Sequence, residues 1–392
     1  MPDPASRSPS APRGGTVALP PPDASESERS QALLARIAAA IAQAGGWISF
    51  EHYMQMALFE PGLGYYDASG SKFGAAGDFV TAPEISPLFA QAVAAPVAAA
   101  FAQLPAHILE FGAGTGALAH ELLQALERRG TPAQQYWIVE VSADLRQRQQ
   151  ERLAGLPVRW LDRLPNGFEG VVLANEVLDV LPVQLFLRAS GADAVLERGV
   201  AMEQGALRFA GRPAPAPLHQ AVAHIEAVLG PLPAGYGSEC CVRAGAWLAA
   251  LAADLRRGLV LLFDYGFPRH EYYHAQRAMG TLMCHYRQHA HADPLWLPGL
   301  NDITAHVDFS ACADAARAAG LDLLGYTSQA HFLIDSGILE LLAARLDPAT
   351  TGAVQRLVSE AEMGELVKVM ALGRGVAGPL PGFGRGDRRH RL

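Results

Sequence analysis

The sequence predicts an α/β fold, a doubly wound and mostly parallel Rossmann-like sheet of seven strands. Three observations predict it. Short apolar runs alternate with amphipathic helical stretches from His107 onward. Two of the runs, 170–174 and 259–263, are apolar throughout, as central strands covered on both faces must be. A glycine-rich turn, Gly112-Ala113-Gly114-Thr115-Gly116, joins the first run to the first helix.

The elements follow in order. Strand one is read at 107–111, strand two at 136–141, strand three at 157–161, strand four at 170–174 and strand five at 259–263. The runs 321–326 and 365–372 close the sheet. Helices are read at 118–129 and 144–153. The stretches 183–240 and 267–310 are too long for simple crossovers and read as insertions at the ligand end of the sheet. Upstream, Leu33, Leu34, Ile37 and Ile41 recur with helical period, which predicts a helix over 30–44, ended by Gly45-Gly46. A second helix covers 50–58. Residues 61–87 are a long Gly- and Pro-rich loop, and its aromatics Tyr65, Tyr66, Phe73 and Phe79 mark it as an ordered lid. The chain thus divides into a disordered tail at 1–29, a helical and lid segment at 30–90, an α/β domain at 91–378 and a Gly- and Arg-rich disordered tail at 379–392.

Half of the 392 residues are hydrophobic, and the net charge is −8. An acidic balance argues against a nucleic-acid partner, whose footprint is basic. Cys240, Cys241, Cys284 and Cys312 contain no Cys-x-x-Cys pair and read as reduced thiols of a cytoplasmic chain. Arg7 and Arg13 among serines resemble a transit peptide, which leaves the mitochondrial matrix as the alternative, but the prolines at 2, 4, 9, 12 and 20–22 oppose an amphipathic helix. No apolar run is long enough to span a membrane. His285, His289, His291 and His306 match no zinc spacing, and no metal is expected.

The chemistry gathers at the ends of strands. Gly112, Gly114 and Gly116 let the backbone turn sharply and approach a ligand. Dinucleotide binding needs Gly-x-Gly-x-x-Gly, and the third glycine here comes one residue early. Glu110, just before the glycines, suits the ammonium of a methionine moiety. Glu140 ends strand two, where a carboxylate accepts both hydroxyls of a ribose, and Ser142 beside it joins the cofactor-binding set; the alternative makes Glu140 a cap of the next helix. Asp162, after strand three, lies where an adenine edge is held. These features predict S-adenosyl-L-methionine (SAM) as the cofactor of a methyltransferase. In Asn175-Glu176-Val177-Leu178-Asp179, the two acids share one face if the segment is helical and can clamp a planar guanidinium. The competing reading makes them a helix cap and a surface acid. Asn175 is placed beside the donor, and Asp78 and Phe79 of the lid at its methionine end.

These segments carry a resemblance. Gly64-Tyr65-Tyr66, residues 77–86 (Gly-Asp-Phe-Val-Thr-Ala-Pro-Glu-Ile-Ser), Asn175 to Pro182, Phe263-Asp264-Tyr265-Gly266, Gly280-Thr281-Leu282 and Asp302 to Phe309 occur in the order of the MidA family. That family is related to the mitochondrial arginine methyltransferases that assist assembly of respiratory complex I. The resemblance covers roughly residues 30–375. It implies a SAM-dependent protein arginine methyltransferase making symmetric dimethylarginine on a protein partner, with Glu176 and Asp179 catalytic. A non-catalytic SAM-binding assembly factor and a small-molecule methyltransferase remain as alternatives. The oligomeric state stays open.

Overall fold

The computed structural model describes residues 19–67, 80–191, 195–345 and 347–392. Strand one spans His107–Phe111, strand two Gln135–Val139, strand three Val158–Leu161, strand four Phe168–Asn175 and strand five Leu255–Phe267. Strand six spans Asp322–Ser328 and strand seven Val367–Arg374. Their spatial order is 6-7-5-4-1-2-3. Strand seven runs antiparallel to both neighbours, and the pairs among strands one to five are parallel. An eighth strand, Val307–Asp308, adds two residues in parallel at the end of strand five. Strand order reverses between strands one and four, and there the loops at the carboxyl ends part to leave a crevice.

Alternation along the strands explains the double winding. Ile108, Val171, Leu173, Leu259, Leu261 and Val369 face one layer, packed by the helices Pro87–Phe101 and Ala117–Arg128. Leu109, Val172, Ala174, Val260, Leu262 and Met370 face the other, packed by Val242–Asp254 and Phe309–Ala318. Successive side chains of a strand leave on opposite faces, so a strand buried on both reads as a continuous apolar run.

The insertions differ from each other. The first builds an antiparallel sheet from Gln184–Arg188, Val195–Glu203, Ala206–Pro213 and Gly237–Cys240. Ile48–Ser49 joins it, pairing with Val200 and Gly199. Leu33, Ile37, Ile41 and Tyr53 of the N-terminal helices pack on Leu185 and Val200 of that sheet. The second insertion folds Met283–Tyr286, His289–His291 and Asp302–Thr304 into a small sheet that reaches the crevice.

Two expectations for the ends need correction. The first helix begins at Ala24, inside the stretch read as a tail, because Asp23 and Glu26 form a capping box (N–H to Oδ1 2.8 Å, N–H to Oε2 2.9 Å). Residues 379–392 are not disordered. Leu380 and Phe383 are buried, Phe383 packs on Phe332 over a spot where Gly325 has no side chain, and Asp335 accepts the N–H groups of Gly382 and Gly384. Glycine and arginine there serve close packing and ion pairing, as between Arg388 and Glu365 at 2.6 Å.

Candidate active site

The glycine turn leaves strand one with all three glycines in the left-handed region: φ is 61° at Gly112, 54° at Gly114 and 81° at Gly116. L side chains rarely adopt that conformation. A Cβ on Gly114 would meet no atom of the described residues within 4 Å beyond its chain neighbours, so the space beside it is open among them. That space is a cavity of about 470 Å³ lined by Phe111, Gly112, Gly114, Glu140, Val141, Leu145, Val177, Leu181 and Trp247, among others. A smaller cavity behind the turn is lined by Thr81, Pro83, Glu84, Glu110 and Asn175.

Glu140 lines the larger cavity, with Oε1 accepting the Ser142 N–H at 2.9 Å and Oε2 the Gln149 amide at 2.9 Å. Burial raises its carboxyl above the ordinary value. Val141 beside it is exposed and offers an apolar ledge. The Ser142 hydroxyl caps the helix Ala143–Arg152 at Leu145, outside the cavity wall. Asp162 also stands outside that wall, its side chain 88% exposed and paired with Arg146 at 3.0 Å. Strand three ends too far toward solvent to bring it in. Glu110 lines the smaller cavity and accepts the Tyr136 hydroxyl at 2.7 Å; burial pushes its carboxyl up to about 7. Asp78 and Phe79 lie outside the described residues.

A third cavity, of about 270 Å³, opens on the far side of Glu176. Asn175, Glu176, Asp179, Tyr265, Asp302 and His306 are among its lining residues, and it shares Tyr66, Glu176 and Val180 with the larger cavity. Residues 176–182 are not helical, contrary to the condition set for the two acids. Glu176 instead has φ 54°, a strained setting for a non-glycine residue, and its N–H is held by the Phe263 carbonyl at 2.8 Å. The turn brings Glu176 and Asp179 to one cavity by a different route, and neither acid caps a helix.

Two acids at this site, Asp264 behind the Glu176 turn and Asp302 in the cavity wall, have no role assigned from the sequence. Asp264 ends the apolar run of strand five. Its carboxylate accepts the N–H groups of Leu178 (2.8 Å), Val177 (3.2 Å) and Tyr265 (2.9 Å), and so shapes the Glu176 turn. Asp302, from the second insertion, is buried and accepts the Tyr66 hydroxyl at 2.9 Å. An acid closing an apolar strand is a signal that could have found Asp264; Asp302 heads the motif Asp302 to Phe309, which marks the segment but not its partner. Asp179 Oδ1 is buried without a hydrogen-bond partner among the described residues.

Four acids crowd here, and burial raises the carboxyls of three of them, Glu176, Asp179 and Asp264. Glu176 is pushed up to about 8, by burial first and by Asp264 next. Asp264 is pushed up to about 7 by burial, against the N–H groups that lower it, and Asp179 stands well above its ordinary value for want of solvent. His306, stacked on Phe267, is pushed down to about 4 by burial and is neutral. A raised acid binds its proton more tightly folded than unfolded. The stability Glu176 contributes is therefore complete below 4.5 and lost as pH rises through about 8. The melting temperature of the ligand-free protein is expected to fall across that window more steeply than that of Glu176→Gln, which no longer titrates; parallel curves by calorimetry would remove Glu176 from the proton balance.

Two cavities meeting at one carboxylate suit a reaction in which one small group passes from a donor to an acceptor. Strand order departs from that of dinucleotide-binding sheets, 3-2-1-4-5-6, by the antiparallel seventh strand between five and six. The family model of S-adenosyl-L-methionine-dependent methyltransferases matches residues 92–327, and the chain belongs to that family, in keeping with its MidA motifs. A protein from Burkholderia thailandensis crystallised bound to S-adenosyl-homocysteine is 49% identical, with a TM-score of 0.89 over 96% of this chain and 100% of its own. A native crystal structure from the same organism is also 49% identical, with a TM-score of 0.86. The Danio rerio protein named "Protein arginine methyltransferase NDUFAF7, mitochondrial" is 29% identical over 87% of this chain and 86% of its own length. Its Drosophila melanogaster homologue is 28% identical over 92% and 91%.

SAM is the cofactor, and the residues present fit it. The glycine turn leaves open backbone, Glu140 keeps lone pairs toward the cavity, and Phe111, Val141, Val177 and Trp247 give an apolar lining. None of the described helices is long and apolar enough to cross a membrane.

Proposed function

We propose that the chain is a protein arginine N-methyltransferase that makes symmetric dimethylarginine on a protein partner, a respiratory-complex subunit being the one the family resemblance implies. Its setting is the cytoplasm, or the mitochondrial matrix if it shares the setting of the relatives named mitochondrial. One observation carries the reading. The cavity beside the donor site is walled by Glu176, Asp179 and Asp302, and a buried Asp179 oxygen there has no hydrogen-bond partner among the described residues. A guanidinium is a permanent planar cation with five N–H donors, and it satisfies such a wall in one step. The names of the curated relatives support the same acceptor.

Bound at the glycine turn, the donor supplies an activated methyl group. Glu110 takes its ammonium end with Asn175 beside it, Glu140 accepts the ribose hydroxyls and Val141 packs on the adenine. Glu176 and Asp179 orient the acceptor, and one of them receives the proton that its nitrogen loses on methylation. Holding both reactants in line is most of the work, since the methyl group is already activated. Tyr66, shared by both cavities, helps to shut out water.

Purified protein, methyl-labelled SAM and a lysate from cells lacking the enzyme are expected to yield label on protein arginine, located by mass spectrometry. Label confined to small molecules, or none at all, overturns the reading. On the donor side, Glu140→Ala removes hydrogen bonds to a charged group, so SAM affinity is expected to drop about ten- to hundredfold by calorimetry. A smaller change moves the ribose elsewhere.

A further inference from the structure

The helix Ala143–Arg152 is a surface helix with polar residues almost throughout, and only Leu145 and Gln149 are buried. Gln149 is wholly so. A buried amide is costly unless each of its polar atoms is paired. Here both are. The amide nitrogen donates to the Gly114 carbonyl at 2.8 Å and to Glu140 Oε2 at 2.9 Å, and the amide oxygen accepts the Trp160 indole N–H at 2.8 Å. Chemistry fixes which way the amide points. An indole N–H only donates and a peptide carbonyl only accepts, so the oxygen faces Trp160 and the nitrogen faces the donor cavity.

One side chain therefore ties together the two parts that meet the donor from different strands, the glycine turn after strand one and the acid after strand two. Each Glu140 oxygen has a fixed partner, the Ser142 N–H on one and Gln149 on the other, and this sets the direction of the remaining lone pairs. Trp160, on strand three, anchors the arrangement from behind.

We propose that Gln149 is a positioning residue of the donor site, acting through Glu140 and Gly114 to set the geometry in which the ribose is held. The proposal rests on Glu140 as the ribose ligand, and the experiment separates the two. S-adenosyl-homocysteine and its 2′-deoxyribose analogue are titrated by calorimetry into the full-length protein and its variants. The wild type is expected to prefer the hydroxylated ligand about tenfold, Glu140→Ala to lose the preference, and Gln149→Leu to retain less than about threefold. A merely structural role for Gln149 lowers both affinities together and leaves their ratio unchanged. An unchanged ratio in Gln149→Leu, with the ratio lost in Glu140→Ala, overturns the role of Gln149 alone. A preserved ratio in Glu140→Ala overturns the ribose assignment, and the Gln149 role with it. If the leucine variant does not fold, Gln149→Glu, of the same size, is measured with the same expectation and the same overturning result.

Discussion

Glu176→Gln is expected to lower methyl transfer about 10²–10³-fold while SAM affinity stays within a factor of two or so, the signature of a group that acts on the acceptor and the transition state and not on the donor. Glutamine keeps the size and the hydrogen bond to Asn175 but cannot carry charge or take a proton. The effect should depend on pH in a definite way. Glu176 is held protonated up to about 8 in the ligand-free protein, so the wild-type rate at low acceptor concentration should rise with pH through that region as the clamp ionises. In the glutamine variant the limb due to Glu176 disappears. Asp179→Asn is expected to cost less, because Glu176 and Asp302 still face the cation. Since residues 176–182 are not helical, loss of a helix cap cannot imitate these results. Normal turnover in a folded Glu176→Gln protein would leave the acceptor class to the relatives' names alone.

Gly114→Val should abolish measurable donor binding, a loss of more than about a hundredfold, in a protein that still folds. Two effects act together. At φ 54° a β-branched residue is badly placed, which tilts the turn away from its native form. Beyond its chain neighbours no atom of the described residues lies within 4 Å of the added Cβ, so the new methyl groups enter the donor cavity instead of the core. The Gly114 carbonyl is also held by Gln149, so a tilt there is passed on to Glu140. Gly114→Ala separates the effects, since it carries part of the strain and little of the bulk, and it should bind SAM with intermediate affinity. Calorimetry reads affinity, and circular dichroism confirms the fold. Undiminished SAM affinity in folded Gly114→Val would move the donor off the glycine turn.

Much of this arrangement was legible in the sequence, for reasons visible in particular residues. The runs 170–174 and 259–263 at the centres of strands four and five are apolar at every position because both faces are covered, which makes those centres legible. Gly112, Gly114 and Gly116 all take the conformation that glycine favours, which is why the spacing carried information. Glu140 and Glu176 follow strands directly, so locating the strands located them. What failed was whatever depends on distant partners. Asp302 is brought to Glu176 by an insertion more than a hundred residues downstream, and no local pattern records that pairing. Gln149 looks like any surface residue of a polar helix until Trp160 and Gly114 close around it. Asp162 is the reverse case: its position after a strand resembled that of Glu140, but the strand end leaves it in solvent. The tail beyond 379 misled by composition, since the space under Phe383 belongs to Gly325, far away in sequence.

The placing of strand seven has a consequence for biosynthesis. It pairs with strand five from Gly258 to Tyr265, yet it is made only after residues 268–366. Throughout translation of residues 268–366, strand five is paired with strand four on one side and bare on the other. A bare apolar strand edge is a template for pairing with other chains, and the exposure lasts until strand seven is made. The nascent protein is therefore a natural client for chaperones until its final strand arrives. Chains cut before Val367 should give aggregates, whereas strand seven, once made, closes the sheet with a partner already tethered to it.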